Sequence, residues 1–190
     1  MFVLSVLDSS FTFKTKYFFD TKFYMSTKTN SYSALQLTLL LILRFLIGWH
    51  VMYEGIAKAL NPGWTAAEYL KNSQWILSDF FNWIAVNPTL LSIVDFLNVW
   101  GLIAIGAGIL LGLFFKLASV SGFVLLLLYY FATPPMIGLE YLIPVEGSNL
   151  IVNKTLIEAV ALLLLAVFPT SRIYGLDHFV HQIFKNKRKQ

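Results

Sequence analysis

The sequence predicts an all-α integral membrane protein built as a four-helix bundle, and three observations carry the prediction. Of the 190 residues 57% are hydrophobic and 13% charged, with a mean hydropathy of +0.69, far more apolar than an ordinary soluble domain. Four long apolar runs are separated by turn-forming breaks, as spanning helices require. Basic residues also gather on one side of the arrangement those runs imply.

Residues 1–33 read as an N-terminal tail. Its first 24 residues are rich in Phe, Ser, Thr and Lys and hold no helical period. The layout is not that of a signal peptide: no basic region precedes the apolar MFVLSVL and no small-residue cleavage site follows it. Two readings stand: translation starts at Met25 and residues 1–24 are a gene-model extension, or the stretch is a disordered tail.

The membrane domain is expected over 34–168. Its first span, about 34–60, stops at the breaker cluster Asn61-Pro62-Gly63. A polar-aromatic segment follows, carrying Trp64, Trp75 and Trp83 and closing at Asn87-Pro88-Thr89; tryptophan favours the headgroup level, so short interfacial helices are expected here. The second span, about 90–115, contains Gly101, Gly106, Gly108 and Gly112, and Gly108/Gly112 is a small-xxx-small pair suited to a close helix neighbour. After a turn at Lys116 the third span runs about 117–132 to Pro134 and Pro135. A loop then leads to the fourth, about 150–168. Residues 169–190 form a cytoplasmic tail, amphipathic at IYGLDHFVHQIF and basic at KNKRKQ, in which His178 and His181 are expected on a solvated or headgroup-facing side.

Four spans put both termini on one side. That side, with the turn at Lys116, holds ten of the 14 Lys and Arg, so by the positive-inside rule both termini are cytoplasmic in a bacterial-type inner membrane. The net charge of +4 is accordingly a matter of topology and lipid contact, not of nucleic-acid binding. The absence of cysteine excludes disulfides, thiolate nucleophiles and cysteine-ligated iron–sulfur centres.

The first span poses the chemical question, because RFLIGWHVMYEGIAK, residues 44–58, places Arg44, His50, Glu54 and Lys58 in an otherwise apolar run. His50, Glu54 and Lys58 follow one helix face at i, i+4 and i+8, and Arg44 falls about 40° around from Lys58, so all four share a sector. Gly48 and Gly55 lie beside Arg44, a thin side suited to packing. Asp95 and Asn98 of the second span, and Asn153, Lys154 and Glu158 of the fourth, are expected at the same level, about 9 Å inside the outer boundary at 1.5 Å per residue. Each unpaired charge would cost roughly 2.5–3.5 kcal/mol at mid-span, so mutual pairing is expected. The cluster reads either as an ion-pair network fixing helix register or as a polar pocket for a headgroup, proton or anion. His50 reads either as a proton relay tuned by Glu54 or as a histidine satisfied by a neighbouring helix. It is the only histidine in a span, which rules out a bis-histidine haem within one chain, and no metal signature surrounds it.

The first-span arginine followed by a glycine, EGIAK (residues 54–58), the glycine-rich second span ending in GLFFKLAS (112–119) and GLD (175–177) together resemble the DoxX/DoxD superfamily of four-helix membrane proteins. The resemblance covers roughly residues 35–180; the Trp-rich loop and VNKTLIEA (152–159) place it on the DoxD-like side. DoxD is the small-subunit type of a thiosulfate:quinone oxidoreductase, so the resemblance implies quinone-linked redox chemistry. The family's arginine maps to Arg44 and its glycine-lysine pair to Gly55 and Lys58. Where relatives often carry Thr-Arg before the third span, this chain has Phe115-Lys116, which keeps the charge and loses a hydroxyl. No catalytic set is carried over.

The resulting expectation is the membrane subunit of a quinone-linked oxidoreductase. Glu54 and His50 act as the acid–base pair, and Arg44, Lys58, Asp95, Asn98, Asn153, Lys154 and Glu158 line the quinone or substrate pocket; the ring enters from lipid between the first, second and fourth spans. Expected partners are membrane lipid, the quinone pool and a second protein subunit. The rival class is a non-catalytic scaffold docking a redox or envelope partner through the Gly108/Gly112 face and the Trp segment. A small proton-coupled transporter, for which no internal repeat speaks, is the third.

Overall fold

The computed structural model describes residues 32–136, 138–139, 141–142 and 150–178. The chain divides into units 1–33 and 34–190, and of the first only Tyr32 and Ser33 are described. The N-terminal stretch with Met25, most of the loop before the fourth run, His181 and the basic end lie outside the described residues.

Every regular element among the described residues is helical: α1 (Ala34–Ala59), α2 (Ala67–Lys71), α3 (Ser78–Val86), α4 (Pro88–Leu111), α5 (Phe115–Ala132), α6 (Lys154–Val167) and a 3-10 turn, Thr170–Arg172. Of these, α1, α4 and α5 are long and apolar enough to cross a membrane. At 14 residues, or about 21 Å, α6 falls short of a full crossing. The expected fourth span begins later than its apolar run because Leu150 takes φ 68° and extended Asn153 caps the helix, accepting from the Leu156 amide at 2.9 Å.

Local chemistry explains the boundaries. Asn87 caps α4 by accepting from the amides of Thr89 and Leu90 at 3.1 and 3.2 Å, with Pro88 at the first helical position. The helix ends where Gly112 turns left-handed at φ 65° and the Leu113 amide folds back on the Gly108 carbonyl at 3.0 Å. The turn is therefore Gly112 to Phe114, earlier in the chain than the expected site after Lys116. Phe114 is also left-handed, at φ 47°, a conformation costing a non-glycine residue about 1–3 kcal/mol. Asp177 holds it there, its carboxylate accepting from the Phe114 and Phe115 amides at 2.8 and 3.1 Å.

Two helix pairs organise the packing: α1 lies along α4 and α5 along α6, joined by α4–α5 contacts. Backbones nearly touch across α1 and α4. A methyl group added at Gly106 would lie 2.4 Å from the Met52 amide nitrogen, and one at Gly55 would lie 2.8 Å from that of Ile103. Ile47, Val51, Leu102, Ile109, Phe115, Leu126, Leu162 and Leu165 are buried in the resulting core, while Phe45, Trp49, Tyr53, Phe96, Trp100 and Ile157 stay exposed. An apolar exterior of this kind suits lipid.

The aromatic segment folds back over the ends of α4 and α5. It contributes Ala66, Leu70, Phe81, Ile84 and Ala85 to a second core closed by Ala132 of α5. Asp95 accepts from the Ala66 amide at 2.8 Å, Trp75 stacks on Phe131 at 5.5 Å, and Trp83 remains exposed.

Candidate functional site

One turn separates each of His50, Glu54 and Lys58 on α1, and the face they share meets α5 and α6. Lys58 Nζ lies 3.3 Å from Glu54 Oε2 and within cation–π range of the Trp64 and Tyr129 rings, 5.5 and 5.8 Å from their centroids. His50 Nε2 stands 3.6 Å from Glu158 Oε2. His50 thus faces a carboxylate of α6, and not Glu54 of its own helix.

These groups surround two cavities. A smaller one of about 180 Å3 lies between α1 and α6, lined by His50, Glu54, Lys58, Tyr129, Thr155 and Glu158 over a floor of Val51, Leu102 and Leu126. A larger one of about 520 Å3 extends beneath α2 and α3, bounded mainly by Trp64, Tyr69, Leu70, Phe81, Ile84 and Val94, with Asn98 in its wall. Glu54, Lys58, Tyr129 and Thr155 border both, so the two cavities, one polar and one aromatic, adjoin at these side chains, and we refer to the pair as a chamber of two lobes.

Hydrogen bonds position the walls. Tyr129 donates its hydroxyl to Asn98 Oδ1, and Asn98 donates to the Val94 carbonyl at 3.0 Å. Tyr69 donates to the Tyr129 carbonyl at 2.9 Å and pairs with the Thr133 hydroxyl at 2.7 Å. Burial pushes the Tyr69 phenol up to about 12, against a smaller lowering by the Thr133 hydrogen bond. It is therefore a neutral hydrogen-bonding post at physiological pH.

Not every expected site residue reaches the chamber. Arg44 is 5% exposed and lies toward the opposite end of α1, about 15 Å along the axis from Glu54 at 1.5 Å per residue. Its Nε donates to the Ile109 carbonyl at 2.7 Å, Nη2 to Leu110 at 2.9 Å, and Nη1 to Tyr174 at 2.5 Å and to the Thr170 hydroxyl at 3.4 Å. The guanidinium also sits 5.1 Å from the Phe115 ring centroid. Arg44 closes the carbonyl end of α4, a structural task for which the fork of guanidinium donors is suited.

Asp95 is engaged by Ala66 and Asn153 by the start of α6, while Lys154 is exposed and belongs to the lining of neither lobe. The charges are engaged locally: His50 faces Glu158 and Lys58 faces Glu54, while Arg44 donates to backbone carbonyls and Asp95 accepts from a backbone amide. The Gly108/Gly112 pair is used inside the chain: a methyl at Gly108 would lie 3.0 Å from Ala118 Cβ, and one at Gly112 2.4 Å from Arg44 Nη2. Close α1–α4 packing also shuts the route between the first and second spans, whereas α1 and α6 touch sparsely.

Tyr129, Thr155, Tyr69 and Trp64 were not singled out as site residues. The available signal was LLLLYY at residues 125–130, where hydroxyls end a leucine run.

The fold and site define an all-helical chain with three helices fit to cross a membrane and a laterally placed chamber, polar at one end and aromatic at the other. No protein-family model matches the chain, and neither a curated protein nor a solved structure matches it.

Proposed function

We infer that this chain is a DoxX/DoxD-like membrane subunit of a quinone-linked oxidoreductase. In this reading residues 150–168 complete a fourth crossing and so a four-helix bundle in a bacterial-type inner membrane. Both termini face the cytoplasm because the basic residues gather there, and the chamber then opens toward the outer half of the bilayer.

The observation that carries the reading is the chamber itself. An aromatic cavity of about 520 Å3 falls in the usual range for small-ligand pockets, and at one end it meets acid, base and hydroxyl groups. A bound quinone supplies two-electron acceptance coupled to two protons. Lys58 and Thr155 offer donors to a carbonyl oxygen, and Glu54 and the His50–Glu158 pair hold protons at the same junction. Glu54, half exposed at its side chain, connects that junction to the surroundings. Tyr129 and Asn98 position the wall, and Trp64 and Tyr69 present ring faces to the larger lobe. Arg44 serves the helix end and not the ligand. Electrons arrive from a partner subunit, which would act on the thiosulfate-type donor the resemblance implies.

Mass spectrometry of the protein purified from its native membrane in mild detergent tests this directly. Stoichiometric quinone that is lost in Glu54→Gln and retained in a folded Arg44 variant is the expected result. A constant protein partner without quinone, undisturbed by Glu54→Gln, would instead assign the scaffold role.

A further inference from the structure

We propose that the chamber selects an uncharged, membrane-dissolved amphiphile and rejects oxyanions, so that an anionic electron donor must be handled outside this chain. The inference rests on the quinone reading above and adds the charge rule that governs its site.

The charge rule follows from where the cations are. Arg44, Lys58 and Lys154 are the cations of the pocket expected from sequence, but Arg44 is spent on the carbonyls of Ile109, Leu110 and Tyr174 and Lys154 lines neither lobe. Lys58 remains. Its side chain is 17% exposed, and its ammonium lies 3.3 Å from the Glu54 carboxylate and faces the Trp64 and Tyr129 rings.

Charge counting makes this quantitative. In formal charges, Glu54 and Glu158 contribute two negative and Lys58 one positive, a sum of minus one. One proton bound to this cluster brings the sum to zero. In neither state is positive charge left over. An anion entering the chamber would lose its water without a compensating partner and would face the carboxylates at short range, where screening is weak.

Shape and access point the same way. The larger lobe is lined by Trp64, Tyr69, Phe81, Leu70 and Ile84, a surface for a flat apolar body. Contact between α1 and α6 is sparse, and the side chains of His50 and Glu54, which line the smaller lobe, are exposed, so a ligand dissolved in lipid reaches it from the side of α1. Carbonyl oxygens on a neutral ring can accept from Lys58 or Thr155 without displacing Glu54. A sulfur oxyanion would have to compete with Glu54 for the same ammonium.

The test compares two naphthoquinones of nearly equal size. Menadione is neutral, and 2-hydroxy-1,4-naphthoquinone is anionic at pH 7. Binding to the full chain in detergent is read as fluorescence quenching lost in Trp64→Phe, with empty micelles as blank; thiosulfate is added as competitor. Menadione should bind at least tenfold more tightly than the anion, and thiosulfate should not displace it. Glu158→Gln, which removes one of the two carboxylates lining the polar lobe, should narrow the ratio at least threefold, with unchanged far-ultraviolet circular dichroism as the check on folding. Equal binding of the two probes, displacement by thiosulfate, or an unchanged ratio in folded Glu158→Gln overturns the charge rule while leaving the quinone site standing. If neither probe binds, the quinone reading falls and the charge rule with it.

Discussion

Arg44 and Asp177 cap the two facing ends of one helical hairpin, although they lie far apart in the sequence. Arg44 receives the last carbonyls of α4, and Asp177 receives the first amides of α5. The link is completed at Gly112, whose carbonyl accepts from the Asp177 amide at 2.9 Å. A methyl group at Gly112 would come within 2.9 Å of Gly175 Cα, so both glycines are needed for the chains to meet. The arginine and GLD, two of the features behind the family resemblance, thus belong to a single clasp.

Removing the guanidinium should loosen that clasp without emptying the chamber. Arg44→Met leaves buried carbonyls unpaired and is expected to cost about 2–4 kcal/mol. Arg44→Lys recovers only part of this, because one ammonium cannot span three carbonyls. Thermal unfolding in detergent, followed by tryptophan emission, should rank wild type above Lys and Lys above Met.

Asp177→Ala should act locally. Loss of a helix cap costs about 0.5–2 kcal/mol, and here it also frees Phe114 from its left-handed backbone. Hydrogen–deuterium exchange should rise at the amides of residues 114–116 before it rises elsewhere in α5; unchanged exchange there would refute the capping role.

Two glycines of α4 should respond oppositely. Gly106→Ala drives a methyl into the Met52 backbone, and overpacking of this kind costs about 1–3 kcal/mol. Gly101→Ala meets nothing within 4 Å and should be neutral or slightly stabilising, since alanine favours helix. Paired melting curves of the two variants check the contrast.

Tyr69 gives a pH signature. Its phenol is raised to about 12 from an ordinary value of 10.0, so the folded state favours the protonated form. The corresponding stabilisation is present in full below pH 10 and is lost as pH rises toward 12. Tyrosinate absorbance, taken as wild type minus Tyr69→Phe, should titrate near 12, and the variant should lack that part of the alkaline loss of stability.

Much of the helical layout was legible because it is local. The apolar run of α1, the breaker after it and the Asn87-Pro88 start of α4 are decided by neighbours in sequence. The turn between α4 and α5 was misplaced by a few residues because its position depends on Asp177, more than sixty residues downstream. Residue 150 likewise sits in an apolar run, yet its backbone turns left-handed and the helix waits for the Asn153 cap.

The candidate site divides along the same line. Spacing by four put His50, Glu54 and Lys58 on one face of α1, and all three line the smaller lobe. The same wheel grouped Arg44 with them, because a wheel records angle around the helix and discards the roughly 15 Å along its axis.

By itself the sequence determined an apolar helical chain, its principal breaks and a charged face on its first long helix, all consequences of composition and periodicity. Tertiary structure alone decided that Arg44 closes a helix end, that His50 meets Glu158 and not Glu54, and that Tyr129 borders both lobes of the chamber. Each of those outcomes depends on which helix lies opposite, and a partner brought close by packing leaves no trace in the local spacing of residues.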